Sequence, residues 1–334
     1  MSEPNQRLKS ISIVIPIYCE EETIEIFYSR LKDVFTSLSS LYQYEFVFVN
    51  DGSKDRSLDI LEELSRKDPS VKVISLSRNF GHQKAITAGI DHSYSDAVVV
   101  IDGDLQDPPE VIPQFIEKWE QGNKVVYGVR MLRKGETPFK LISAKLFYRL
   151  IHKLSDIPLA QDAGDFRLMD QAVVQALREI REDNRYIRGL VSWIGFSQIG
   201  VPYERDSRFA GETKFTLSRM IHFASDGITG FSEKPLVIAT HIGSATTVLS
   251  FFAIIWLIGG RILFPEQVVQ GWTSVMVAIF FLSGIQLVSI GILGEYIGRI
   301  YRETKDRPLY IIAKKVGYET NTAQLPNIIK QWKN

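Results

Sequence analysis

The stretch VVVIDGDLQDPPE, residues 98–110, sets three aspartates, Asp102, Asp104 and Asp107, directly behind an apolar run. Asp102, Asp104 and the Gln106 amide oxygen are hard oxygen ligands of the kind that Mg²⁺ or Mn²⁺ takes, and such a cation can bridge a diphosphate. Carboxylates this close raise each other's pKa unless a cation is present. A plain turn held by Asp and Gly accounts for Gly103 and Pro108 equally well. It does not account for Asp102 and Asp104 together. Asp107, ahead of Pro108 and Pro109, is expected to cap the next helix and to stay out of the chemistry.

Residues of this kind need a scaffold that brings them to one place. SISIVIP (10–16), YEFVFVN (44–50), VKVISLS (71–77), AVVVI (97–101) and KVVYGV (124–129) read as strands, with helical segments at 21–39, 55–66, 82–92 and 109–121. Continuous apolar strands alternating with helices predict a doubly wound, mostly parallel sheet covered on both faces. Ligands of such sheets bind beyond the carboxyl ends of the strands. Those ends carry Pro16, Tyr18, Cys19 and Glu20; Asn50 and Asp51; Arg78 and Asn79; and Asp102, Asp104 and Gln106. Four polar crests together point to a nucleotide-type site. No GxGxxG motif follows the first strand and no Walker A loop is present, so the phosphates need another counter-charge. Lys84, on the first turn of the helix at 82–92, is a solvated lysine by default. His82 lacks neighbouring Cys or His partners and reads as a packing or locally hydrogen-bonded residue. DAGDFRLMD (162–170) reads as a loop before a helix at 170–180, with Arg167 free to pair with Asp165 or to contact a phosphate.

Positive and negative side chains balance at 39 each, which excludes a global pull toward nucleic acid. Cys19 is the only cysteine, so no internal disulfide and no cysteine-rich metal site exist. The first 30 residues show no charged segment leading into an apolar core, so no cleaved signal peptide is expected. Two nearly uncharged stretches, 236–260 and 273–294, have the length needed to cross a bilayer. Basic residues lie before the first (Lys214, Arg219, Lys234) and after the second (Arg299, Arg302, Lys305, Arg307), while the loop at 264–272 has none. The positive-inside bias then puts both termini in the cytosol. Residues 206–235 read as amphipathic interfacial helices, and 138–154 as a second basic amphipathic segment. The division expected is a catalytic domain at 1–205, juxtamembrane helices at 206–235, a membrane hairpin at 236–299 and a cytosolic tail at 300–334.

The motifs SIVIPIYCEEE, VNDGSKD, SRNFGHQKA, DGDLQDPPE, DAGDFRLMD and RFAGETKF, in this order ahead of two apolar spans, resemble the family 2 glycosyltransferases of the GT-A fold. Within these, the polyprenyl-phosphate glycosyltransferases are the most similar branch. The resemblance covers residues 10 to 310. It implies that Pro16, Tyr18 and Glu20 line a nucleoside pocket, that Asp51 takes the edge of the base, and that Lys84 and Arg130 lie near the diphosphate. It implies a cation held by Asp104, Gln106 and Asp102, an active-site role for Asp162 and Asp165, and a lipid phosphate met by Arg208, Lys214 and Arg167. Many members carry Asn where this chain has Cys19.

The activity so implied is inverting transfer of a sugar, glucose from UDP-glucose, onto a polyprenyl phosphate such as undecaprenyl phosphate. The setting implied is the cytosolic face of a bacterial inner membrane, with a homo-oligomer plausible. A polyprenyl phosphate is mostly dianionic near neutral pH, with a second pKa of about 6, and attacks without a base. Asp165 is then mainly a positioning group. A processive polysaccharide synthase would need Q-x-x-R-W, where this chain has only Arg188 followed by Trp193. A non-catalytic membrane sensor of nucleotide sugars would not need the acidic pair.

Overall fold

A computed structural model describes residues 7–131, 163–183, 185–205, 234–263 and 271–318. The chain builds β1 (Lys9–Ile17), α1 (Ile24–Leu38), β2 (Tyr42–Asn50), α2 (Ser57–Lys67), β3 (Val71–Leu76), α3 (His82–Asp91) and β4 (Ala97–Val100). A 3₁₀ turn (Pro109–Val111), α4 (Ile112–Glu120) and β5 (Val125–Arg130) follow. The central strands are apolar along their whole length because both faces are covered. Ile11, Ile13, Ile15 and Ile17 of β1 enter one core layer with α1, α2 and α4, while Val14 enters the other with α3. Phe46 and Phe48 alternate with Val47 and Val49 in the same way on β2. Each such fully buried side chain contributes about 1.5–3 kcal/mol through the apolar surface removed from water. Helix α3 lies so close to β1 that a Cβ on Gly89 would come within 2.2 Å of Val14 Cγ1.

The second half departs from the expected pattern. DAGDFRLMD is no loop: residues Ala163–Asp170 form β6, followed by α5 (Gln171–Glu179), α6 (Ile187–Ile194) and β7 (Gln198–Tyr203). The physical reason is the alternation, with Phe166 and Leu168 in one core layer and Met169 in the other. Strand β6 runs antiparallel between β4 and β5, so β5 does not neighbour β4. The sheet is therefore mixed, in the order β7-β5-β6-β4-β1-β2-β3-β8, where β8 is Ile312–Val316. The parallel set β1–β4 and the parallel pair β5·β7 are joined through antiparallel β6.

Helices α7 (Lys234–Leu263) and α8 (Trp272–Thr304) carry the two apolar stretches. Large apolar side chains such as Leu249, Phe252, Trp256, Phe281, Leu287 and Val288 stand exposed on them. Among the described residues, one segment, Phe281–Thr304, is long and apolar enough to cross a membrane, with a mean hydropathy of 1.4. After α8 the chain returns to the sheet. Residues Ile312–Val316, expected within a tail, form β8 and pair antiparallel with β3.

Candidate active site at the strand crests

The parallel strands β1, β2, β3 and β4 end at one rim, and their crests are tied to one another through the backbone. Asp51 N donates to Ile17 O (2.9 Å), and the Asp51 carboxylate accepts from the amides of Phe80 (2.7 Å) and Gly81 (2.9 Å). Asp51 is only 2 % exposed, and burial pushes its pKa up against those two amides. Asp51, the residue expected to meet the base, thus also clasps the β2 and β3 crests together. Gly52, beside it, has φ +66°, and a Cβ there would lie 2.4 Å from the Arg78 carbonyl carbon. Cys19 is also left-handed (φ +55°) and exposed. Asn, which the resembled family places here, adopts this conformation readily. Pro16 is buried at the end of β1, Tyr18 is exposed and Glu20 half-buried.

The β4 crest bends sharply. Leu105 has φ +61°, the Gln106 amide donates to Asp104 Oδ1 (3.1 Å), and Thr23 Oγ1 donates to Gly103 O (3.1 Å). Opposite it, β6 presents Asp165, and α3 opens with His82 and Gln83. His82 Nε2 lies 3.4 Å from Asp102 Oδ1 and 3.4 Å from Asp165 Oδ2. Gln83 Nε2 donates to Asp165 Oδ2 (3.2 Å), and its Oε1 accepts from Ile187 N (3.0 Å). Arg188, on α6, grips Asp165 with Nε (2.8 Å) and Nη2 (2.9 Å). Burial alone would raise the Asp165 pKa, but Arg188 and His82 hold it well below the usual carboxylate range. Burial, with Asp165, Asp107 and Asp104 adding, pushes Asp102 up to about 6 against the pull of His82. Burial opposes the charged imidazole, but Asp102 and Asp165 carry His82 up to about 9.

Several expectations change here. Asp165 pairs with Arg188, not with Arg167. Arg167 is 3 % exposed in β6, donates Nη2–H to Gly164 O (2.9 Å), and is pushed down to about 10 chiefly by burial. His82, read as a packing or hydrogen-bonded residue, sits between two carboxylates distant in sequence. Lys84 is half-buried rather than freely solvated, and its Nζ pairs with Asp183 (2.7 Å). Asp107 does not cap a helix, because Pro108 precedes the 3₁₀ turn and no side-chain cap bond forms. Asp107 instead faces inward, 0 % exposed, and accepts from Tyr203 Oη (2.6 Å) and Arg205 Nε (3.2 Å). Arg130 Nη2 lies 3.8 Å from its other oxygen. Asp162, Arg208, Lys214 and the segment at 138–154 lie outside the described residues. Sequence reasoning missed Arg188 and Gln83 as site residues. The usable signal was Asp165 itself, a carboxylate inside an apolar strand, which demands a partner.

Among the described residues, no group of three or more His, Cys, Asp or Glu side chains could by itself hold a metal ion. The donor set fits a hard cation that takes its remaining ligands from a phosphate. Asp102 Oδ1 is buried with no hydrogen-bond partner, and Asp104 sits two residues along the same crest. Mg²⁺ is commonly bound by one or two carboxylates together with substrate phosphates.

The description "Glycosyl transferase family 2" matches residues 12–178. The chain is 52% identical over 311 residues to "Uncharacterized glycosyltransferase YkcC" of Bacillus subtilis (strain 168), which spans 92% of this chain and 94% of that protein. It is 44% identical over 305 residues to a bactoprenol glucosyl transferase of Shigella phage SfX, across 91% of this chain and 99% of that one. Among solved structures, it is similar to the mannosyltransferase PcManGT from Pyrobaculum calidifontis in complex with GDP-Man and Mn²⁺. The TM-score there is 0.45 and the identity 13%, over 85% of this chain and 88% of that one. The mixed, helix-covered sheet is of the GT-A type, and the chain belongs to glycosyltransferase family 2.

Proposed function

We propose that this chain is an inverting transferase that moves glucose from UDP-glucose onto a polyprenyl phosphate, undecaprenyl phosphate, at the cytosolic face of a bacterial inner membrane. The observation that carries this reading is the state of Asp165. A carboxylate clamped by Arg188 and held well below its usual range is a poor general base. An acceptor that arrives already ionised needs no base. A phosphate monoester is such an acceptor, whereas a sugar hydroxyl is not. The end-to-end similarity to a bactoprenol glucosyl transferase supports the lipid as its carrier.

In this reading a phosphate oxygen of the lipid bonds to the anomeric carbon on the face opposite the nucleotide. The bond from that carbon to the diphosphate breaks, and its electron pair leaves with UDP. Asp165 stays ionised and positions the sugar. The β1 and β2 crests take the nucleoside through Pro16, Tyr18, Glu20 and Asp51. A divalent cation, Mg²⁺ or Mn²⁺, held by Asp104, Asp102 and Gln106 would neutralise the departing diphosphate. The acceptor phosphate is assigned to Arg208 and Lys214, with the buried Arg167 adding positive charge behind the β6 crest.

The return of the chain to β3 supports a membrane hairpin. Strands β7, before α7, and β8, after α8, belong to one sheet, which is what a hairpin of two crossings requires. Two crossings fit the two apolar stretches and leave both termini on the catalytic side. The test is transfer by the full chain in vesicles containing undecaprenyl phosphate, with a panel of radiolabelled nucleotide sugars and Mg²⁺ or Mn²⁺. A single-sugar lipid product from UDP-glucose is expected. Folded protein that forms no lipid-linked sugar from any donor overturns the reading, and a polymer product would favour a processive synthase.

A further inference from the structure

We propose that Glu303, in the last turn of α8, is a positioning residue, which fixes the connection between α5 and α6 on the first turn of α3 and so sets the grip of Gln83 and Arg188 on Asp165. In the transferase reading above, on which this rests, Asp165 positions the sugar. Glu303 links the second apolar helix to that carboxylate.

The Glu303 carboxylate accepts from Asp183 N with both oxygens, Oε1 at 3.2 Å and Oε2 at 3.0 Å, across 120 positions of sequence. Asp183 Oδ1 in turn accepts from Lys84 Nζ on α3 (2.7 Å). Further along the same connection, Ile187 N donates to Gln83 Oε1 (3.0 Å), and Arg188 follows with its two bonds to Asp165. The connection thus holds two successive side chains of the first turn of α3, and α8 holds the connection. A second tie lies at the other end of α3. There Asp91 Oδ2 accepts from Arg181 Nη1 (2.8 Å) and from Tyr310 Oη (2.8 Å), a residue that follows α8. The connection is therefore bracketed along α3 by the end of α8 and by the chain that leaves it.

Local physics gives Glu303 no reason to be where it is. A carboxylate in the last turn of a helix opposes the helix dipole, which favours cations there. It also stands near another acid, since Glu303 adds to the upward push that burial exerts on the Glu182 pKa. Its side chain is exposed, so no buried apolar surface compensates. The offsetting gain is the charge-assisted bond from the Asp183 amide. A residue that is locally unfavourable and gains only through a distant partner is the kind of exception that marks functional positions. Here the partner belongs to the segment that orients Asp165. A misplacement of about 1 Å at a positioning group can lower turnover about 10²-fold, so a bond that adds little stability can still govern rate.

The experiment uses the full chain in vesicles carrying Glu303→Ala, which removes the acceptor, and Glu303→Gln, which keeps one oxygen for the same amide. KM and kcat are measured for UDP-glucose and for undecaprenyl phosphate, with the thermal midpoint and hydrogen exchange at the Asp183 and Ile187 amides. Glu303→Ala is expected to lower kcat about tenfold, with both KM values within about twofold and the midpoint unchanged. Exchange should quicken about fivefold at Asp183 and also at Ile187, because the connection loosens as a unit. Glu303→Gln should recover most of the turnover and most of the protection. Wild-type kcat in Glu303→Ala overturns the proposal and leaves a surface tie between α8 and the sheet. A fall in kcat with exchange at Ile187 unchanged also overturns it, because the effect then bypasses Gln83. A lowered midpoint shared by both variants, with no recovery in Glu303→Gln, reduces Glu303 to a stability role and overturns it too. If the wild-type chain transfers no sugar, the transferase reading fails, and exchange at Ile187 still decides whether Glu303 holds the connection.

Discussion

The two flanks of the site are built in different ways. On the β1–β4 flank the chain shapes its backbone. Cys19, Gly52 and Leu105 take left-handed conformations at three crests, and amides bind Asp51 within neighbouring strand–helix units. On the β5–β7 flank the chain pairs charges across long separations. Asp165 meets Arg188 from 23 positions away, and Asp107 meets Arg205 from 98 away. The first flank is specified by local conformation, the second by which distant side chains find each other. Substitutions should therefore fail differently on the two sides.

The largest effect is expected at Arg188. Arg188→Ala leaves the 5 %-exposed Asp165 buried without its bidentate partner, and should cost about 3–5 kcal/mol of stability. Chemical denaturation measures this, and a double change with Asp165→Asn should cost less than the sum of the two singles. Additive losses would break the idea that this flank is held by pairs. Asp104→Ala comes next and should act on rate instead. A fall of about 10²–10³-fold in kcat is expected, with unfolding midpoint unchanged, because the departing diphosphate loses its counter-charge. Wild-type turnover in that variant would remove Asp104 from the chemistry. Gly52→Ala tests backbone shape, since the strained φ and the clash with Arg78 should cost about 1–3 kcal/mol in thermal unfolding. The smallest effect belongs to Cys19→Asn, which keeps a side chain suited to φ +55° and should change stability by less than about 0.5 kcal/mol. A large loss there would mean that the thiol, not the backbone, is what the position requires.

The same contrast explains what could be read from residues alone. The strands and helices from 9 to 120 carry their own signals, because largely apolar strands of four to nine residues end in turn residues and each unit packs on its neighbour. Strand β6 escaped notice because its eight residues include Asp165 and Arg167, which are buried yet charged. Their polarity suggested a loop, and only pairing with β4 and β5 makes them strand residues. Asp102 and Asp104 were visible as an acidic pair. Asp107, equally visible, was misjudged from the prolines that follow it, because nothing near it in sequence announces Tyr203 or Arg205. Spacing shows which residues share an element, and it is silent on which elements share a charge.

Strand β8 has a consequence for the order in which the protein comes into being. It pairs with β3, and Lys72 reaches Gly317 across 245 positions. During synthesis from the N-terminus, the outer edge of β3 therefore stays open until α7 and α8 have both been made. An uncovered strand edge invites pairing with other chains. The sheet that carries the site is finished last, by residues that emerge only after the apolar helices. A chain that stalls between them holds a sheet with one edge exposed, and so the step that seals the sheet also marks that both helices have been made.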